Sequence, residues 1–265
     1  MKTEKKHLGI THKIREKKWQ RVGVVLIAMI FFSILILNSM LNQSSTGQTV
    51  SSNSQLEVAI VDQLSLIFPN QTFIETATNT LERAGYNVDY YAGDQVTPEF
   101  YRNLPTHGYK ILVLRVHSLT GTFQGKQMVG FFTSELYSTT SYVYEQLTDQ
   151  IGCLGYYPGA QTRYFGISQE FVKSSMKGKF QNAVIIAMGC EGLNNTKMAE
   201  AFVEKGAKAY IGWDGSVTSE HTDKATTRLL QHLVNGKETV RQAVESTMSD
   251  VGPDPQYYTQ LACYP

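Results

Sequence analysis

Two residues stand out because of what precedes them. His117 follows the apolar run Lys110–Val116 (KILVLRV), and Cys190 follows Asn182–Met188 (NAVIIAM) and one glycine, Gly189. Both runs have the length and composition of strands buried on both faces. The carboxyl ends of parallel strands share one edge of a sheet, and ligands bind there. If the two strands are neighbours, ~4.8 Å apart, His117 and Cys190 face one crevice. A cysteine thiol titrates near ~8.5, and an imidazole beside it draws it toward the thiolate. Cys190 lies in the turn Gly189-Cys190-Glu191-Gly192. Small neighbours there admit a carbonyl group, and free backbone N–H groups can hold an oxyanion. Taken singly, a strand-end cysteine reads as an inert buried thiol and a strand-end histidine as a satisfied turn residue. Their joint placement points to nucleophilic catalysis.

Such a pair needs a scaffold that brings two distant strands together. The periodicity predicts strands at Leu56–Leu64, Asn87–Tyr91, Lys110–Val116, Asn182–Met188 and Ala209–Trp213. Helical patterns fall at Gln71–Ala84, Pro98–Leu104, Lys197–Lys205, Ser219–Val234 and Glu238–Met248. Near-continuous apolar strands alternating with helices predict an α/β fold with a mainly parallel central sheet covered on both faces. The interval 118–180 breaks the rhythm, with a hairpin expected at Gln127–Glu135 and a Gly/Pro loop after it. Insertions after a central strand sit where substrate-facing loops sit. Of the other histidines, His107 precedes its strand and so lies at the wrong edge. His221 opens a helix and could reach the cleft rim. His232 lies within that helix.

The segment AVIIAMGCEGLNNTKMAEAFVEKGAKAYIGWDGSVTSEHTDKATTRLLQHLVNGKETVRQAV resembles the C-terminal half of the caspase-like cysteine peptidases. It is most similar to the CHAT group, with clostripain and gingipain relatives behind. The earlier segment GYNVDYYAGDQVTPEFYRNLPTHGYKILVLRVHS resembles their His-bearing half. The resemblance covers roughly residues 56–118 and 182–245. It implies a caspase-like three-layer sandwich in which Cys190 attacks an acyl carbon and His117 handles protons. It also implies an oxyanion hole from the backbone at Gly189-Cys190 and at Ser118. The family usually carries Gly directly after the His, and this chain carries Ser118. Asp214, in WDGSV, falls where the family builds its primary specificity pocket; the other reading is an ordinary turn aspartate. Glu191 either lines the cleft or is solvated. The substrate implied is a peptide or protein. A caspase-like domain whose Cys–His pair is idle, serving as a binding or sensing module, is the alternative.

The chain has 265 residues with Lys+Arg 24 against Asp+Glu 23. Residues 1–21 carry eight of the basic residues and two of the acids, so a basic head precedes an acidic body. Residues 22–41 (VGVVLIAMIFFSILILNSML) hold no charge over 20 residues. At ~1.5 Å per residue that run spans a bilayer core. The basic flank predicts a cytoplasmic tail at 1–21 and an extracytoplasmic domain at 56–265, with lipid contact through 22–41. A cleavable signal peptide is the rival, but no small-x-small site follows. Residues 42–55 read as a flexible polar stalk. The acidic body argues against nucleic acid. No metal-ligand spacing, phosphate-cradling loop or dinucleotide motif appears, so no metal and no cofactor are expected. Outside the cell Cys153 and Cys263 could form a disulfide, leaving Cys190 as the odd thiol. Oligomeric state is not legible.

Overall fold

The structure is a computed structural model, described here for residues 56–265 apart from 124, 125 and 158. The basic tail, the apolar segment 22–41 and the stalk 42–55 lie outside the described residues. Among the described residues no helix is long and apolar enough to cross a membrane.

The first half contains β1 (Leu56–Asp62), α1 (Gln71–Arg83), β2 (Tyr86–Ala92), α2 (Pro98–Asn103) and β3 (Ile111–Arg115). The interval 118–180 supplies β4 (Ser118–Phe123), β5 (Lys126–Leu136), α3 (Val143–Leu147), β6 (Ile151–Leu154), β7 (Tyr164–Ser168) and α4 (Gln169–Ser174). The last part contains β8 (Val184–Ala187), α5 (Lys197–Glu204), β9 (Ala209–Trp213), α6 (Ser219–Val234), α7 (Val240–Val251) and β10 (Leu261–Tyr264).

Six strands form the central sheet in the order β10-β9-β8-β3-β1-β2. All neighbours are parallel except β10, which runs antiparallel to β9. The parallel strands β3, β8 and β9 are buried at every position, because both faces of this sheet are covered. Along β1 and β3 the side chains alternate between two cores. Val58, Ile60, Ile111 and Val113 face α1, α6 and α7. Ala59, Val61, Leu112 and Leu114 face α2, α4, α5 and a second sheet. The result is a three-layer α/β sandwich. α1 shows why local sequence suffices for the outer layer. Asn70 caps its N-terminus by accepting from the Phe73 N–H at 3.1 Å, and Phe73, Ile74, Ala77 and Leu81 form its buried stripe.

The interval 118–180 folds as a four-stranded antiparallel sheet, β4-β5-β7-β6. Its inner face presents Val129, Phe131, Ile151, Phe165 and Ile167 to the core. The hairpin expected within Gln127–Glu135 is corrected. Those residues form one strand, β5, which makes its hairpin with β4. The alternation of Val129, Phe131 and Thr133 inward explains the continuous strand. The terminal strand β10 was also unanticipated, because LACY is too short to carry a periodicity of its own.

Candidate active site

β3 and β8 are adjacent and parallel, with Leu114 paired to Ala187. His117 and Cys190 each lie three residues beyond that pair, so they leave the sheet edge at the same level. Two turns carry them, and the turns are pinned together. Ser118 Oγ, buried, donates to the Cys190 carbonyl at 2.6 Å. Gly189 permits this approach: a Cβ there would overlap the Ser118 hydroxyl and the Val116 carbonyl. Below the turn, Thr222 Oγ1 donates to the Met188 carbonyl at 2.8 Å and accepts from the Trp213 indole at 2.9 Å. The first turns of α6 thus hold the end of β8.

The Cys190 sulfur lies against Val217, whose N–H and carbonyl are both 3.4 Å away. No hydrogen bond joins it to the His117 ring. Burial pushes the Cys190 thiol above its usual range, and the Glu191 charge adds to this; the Val217 N–H and the residue's own N–H oppose it. His117 packs against both Phe132 and Tyr156, with ring centroids 4.7 and 5.2 Å away. Burial holds its imidazole below the usual range, opposed by the Tyr156 backbone. Both groups are therefore neutral near pH 7, as a thiol and an imidazole. Catalytic hydrogen bonds that are long or absent in a ligand-free site commonly tighten when substrate is bound.

Ser118 belongs to β4 rather than to a loop. In its register opposite Phe131, the neighbouring bond runs from Phe132 N–H to the His117 carbonyl at 2.9 Å. Ser118 is thus in a non-hydrogen-bonded pair, and its own N–H points off the ladder on β4's free edge. The Thr120 N–H points the same way and is taken by Glu191 Oε2 at 2.7 Å. Glu191 therefore docks the edge of β4 onto the cysteine turn. Its backbone is left-handed, φ 59°, a conformation costly for a side chain with a Cβ. The Glu191 N–H is used by the Gly215 carbonyl at 2.7 Å.

Asp214 is exposed and accepts from the Gln260 N–H at 2.8 Å, fastening the start of β10. Cys153 and Cys263 are free thiols rather than a pair. Cys153 is exposed on β6 of the small sheet, whereas Cys263 lies on β10 at the border of the central one. His107 stacks on Tyr109, and the His221 ring meets the Gly252 carbonyl at 3.1 Å. His232 lies between the carboxylates of Glu238 and Asp250. None of the three joins the site.

Three features were not legible in the sequence. Gln63, wholly buried just after β1, accepts from the His117 N–H and donates to the Tyr156 hydroxyl. Arg115, at the end of β3, is buried with Asp62 at 2.8 Å and, bidentately, Asp223 at 2.7 and 2.9 Å. Burial acts against the Arg115 cation, but bonds to Asp223 and Asp62 outweigh it and hold it charged. Asp254, also buried, accepts from Thr218, Gln256 and Tyr257 and so braces the segment that carries Val217. Burial raises its carboxyl pKa, yet those donors prevail and keep it below the usual range.

A cavity of about 270 Å³ opens on the small sheet, lined by Leu119, Met128 and Leu154 over a floor of glycines. Neither His117 nor Cys190 lines it. No group of side chains among the described residues is arranged to hold a metal ion. No family model matches the chain, and no curated protein matches it.

Proposed function

We propose that this protein is a membrane-anchored, caspase-like cysteine peptidase, with Cys190 as nucleophile, His117 as general acid and base, and a peptide or protein as substrate. The observation that carries the reading is the equal level of His117 and Cys190 beyond paired residues of two adjacent parallel strands. A thiol and an imidazole from distant parts of the chain leave the sheet at the edge where such sheets bind ligands, which supports these roles. The uncharged segment 22–41 with its basic flank supports anchoring, with the α/β domain outside the cytoplasm.

The chemistry starts from the neutral pair. Substrate entering the crevice displaces the sulfur from Val217 toward the imidazole. His117 takes the thiol proton as Sγ bonds to the acyl carbon. The negative charge that develops on the carbonyl oxygen is held by the N–H of Cys190 and the off-ladder N–H of Ser118. As the C–N bond breaks, His117 returns the proton to the leaving amine. Water, deprotonated by His117, then cleaves the thioester and restores the thiol. Ser118 replaces the usual glycine without closing this route, because its hydroxyl is turned to the Cys190 carbonyl. Asp214 and Glu191 are given supporting parts here, since both carboxylates already hold backbone N–H groups.

A binding module with an idle pair is the second reading, favoured by the engagement of Cys190 with Val217 and by a cavity remote from it. Incubating the full chain with a mixed peptide library separates the two. The peptidase yields cleaved products that disappear with Cys190→Ala and with His117→Ala. The binding module yields none from any form.

A further inference from the structure

We propose that Gln63 is a positioning residue for His117, gripping the histidine's backbone with one end of its amide and the aromatic wall of its ring with the other. This rests on the catalytic reading of His117 given above. β1 ends at Asp62, opposite Arg115, so the sheet supplies no carbonyl at the level of His117. The Gln63 side chain takes that place. Its Oε1 accepts from the His117 N–H at 3.0 Å, and its Nε2 donates to the Tyr156 hydroxyl at 2.9 Å. Gln63 is 0% exposed, so neither end has water as a substitute partner.

Tyr156 is the second half of the device. Its ring stacks on Phe132 at 5.0 Å with the planes 10° apart, and both rings border the imidazole. It comes from the segment between β6 and β7, in the small sheet's half of the domain. Gln63 therefore joins three separate pieces of chain at the base: the end of β1, the turn after β3 and the loop of the insertion. Gln63 and Phe132 are neutral, and Tyr156 is the titratable group among these packing partners. Burial raises its phenol further above neutral pH. A general base displaced by ~1 Å loses up to about 100-fold in rate, so fixing the backbone that carries the ring and the aromatic wall beside it has catalytic weight.

The test uses the full chain and two substitutions. Gln63→Met keeps the volume and removes both polar ends. Gln63→Glu keeps an acceptor for the His117 N–H and brings a carboxylate near the ring. In peptide hydrolysis Gln63→Met is expected to lower kcat by about 10- to 100-fold with KM within about twofold. Gln63→Glu is expected to retain more of kcat and to move the acid limb of the pH profile upward, because a nearby negative charge favours the imidazolium. NMR titration of the His117 ring in a Cys190→Ala background reads the same shift without needing turnover. An unchanged His117 titration in Gln63→Glu would overturn the proposal, as would a Gln63→Met kcat equal to wild type. The two readings fail separately. If His117→Ala leaves hydrolysis intact, the catalytic assignment falls while the NMR shift still tests the grip. If His117→Ala abolishes hydrolysis and neither Gln63 variant alters kcat or titration, the positioning role alone falls.

Discussion

At the scale of single residues, the site is organised by close approach. The His117 and Cys190 turns meet because Gly189 has no side chain and Ser118 has a hydroxyl to spend on the Cys190 carbonyl. Gly189→Ala forces a methyl into occupied space and is expected to cost about 1–3 kcal/mol, read as a lower urea midpoint. A midpoint equal to wild type would show that the turns are not in contact. The protonation states make a second prediction. Cys190 is held above the ordinary thiol range, so in His117→Ala its alkylation rate should rise only at pH values above those at which a free thiol reacts. Alkylation of that variant with a midpoint at or below a free thiol's would contradict the burial of the sulfur. His117 and Cys190 were legible because each directly follows an apolar strand. Gln63 was not, because it reads as one more residue of the run Leu56–Leu64 and its hydroxyl partner is 93 residues away. Glu191 and Asp214 accept from the Thr120 and Gln260 N–H groups, and those partners lie on strands and loops that no local pattern specifies.

At the scale of elements, the central sheet is tied to its outer layer by an ion cluster. Arg115 leaves β3, Asp62 leaves β1 and Asp223 comes from the first turns of α6; all three are buried. Removing one partner leaves uncompensated charge in the interior. Asp223→Asn and Arg115→Met are each expected to lose about 3–5 kcal/mol of stability in denaturant melts. Their double variant should lose less than the two summed, since the charges are coupled; strict additivity would contradict the cluster. The inner parallel strands β3, β8 and β9 were readable because burial on both faces makes them largely apolar. The small sheet was harder. Its strands alternate core residues with Gly130, Gly152 and Gly166, and glycine sends a loop signal even where a strand forms. Leu154 lies across Gly130 and Gly166 on the outer face, a packing that a single stretch of sequence does not announce.

At the scale of the molecule, two properties of the whole chain follow. Folding buries His117 and lowers its pKa, so the unfolded chain binds the additional proton as pH falls below ~6.5. The stability contributed by keeping that ring neutral is complete above the unfolded value and is lost as pH falls toward the folded one. Urea melts from pH 5 to 7.5 should therefore show wild type gaining on His117→Gln as pH rises through this window. Parallel curves would contradict it. The basic head and uncharged run of residues 22–41 also predict that the full chain stays with membranes after alkaline carbonate, and that deleting 22–41 releases it. Recovery of the full chain in the supernatant would contradict the anchor.

The central claim is that Cys190 is a nucleophile served by His117. It is tested most directly by incubating the full chain with a peptidyl acyloxymethyl ketone and locating the adduct by mass spectrometry. The account predicts one adduct, on Cys190, formed faster than on a free thiol and slowed at least about 100-fold by His117→Ala. Labelling of Cys153 or Cys263 in preference to Cys190, or labelling of Cys190 at the same rate with and without His117, would contradict it.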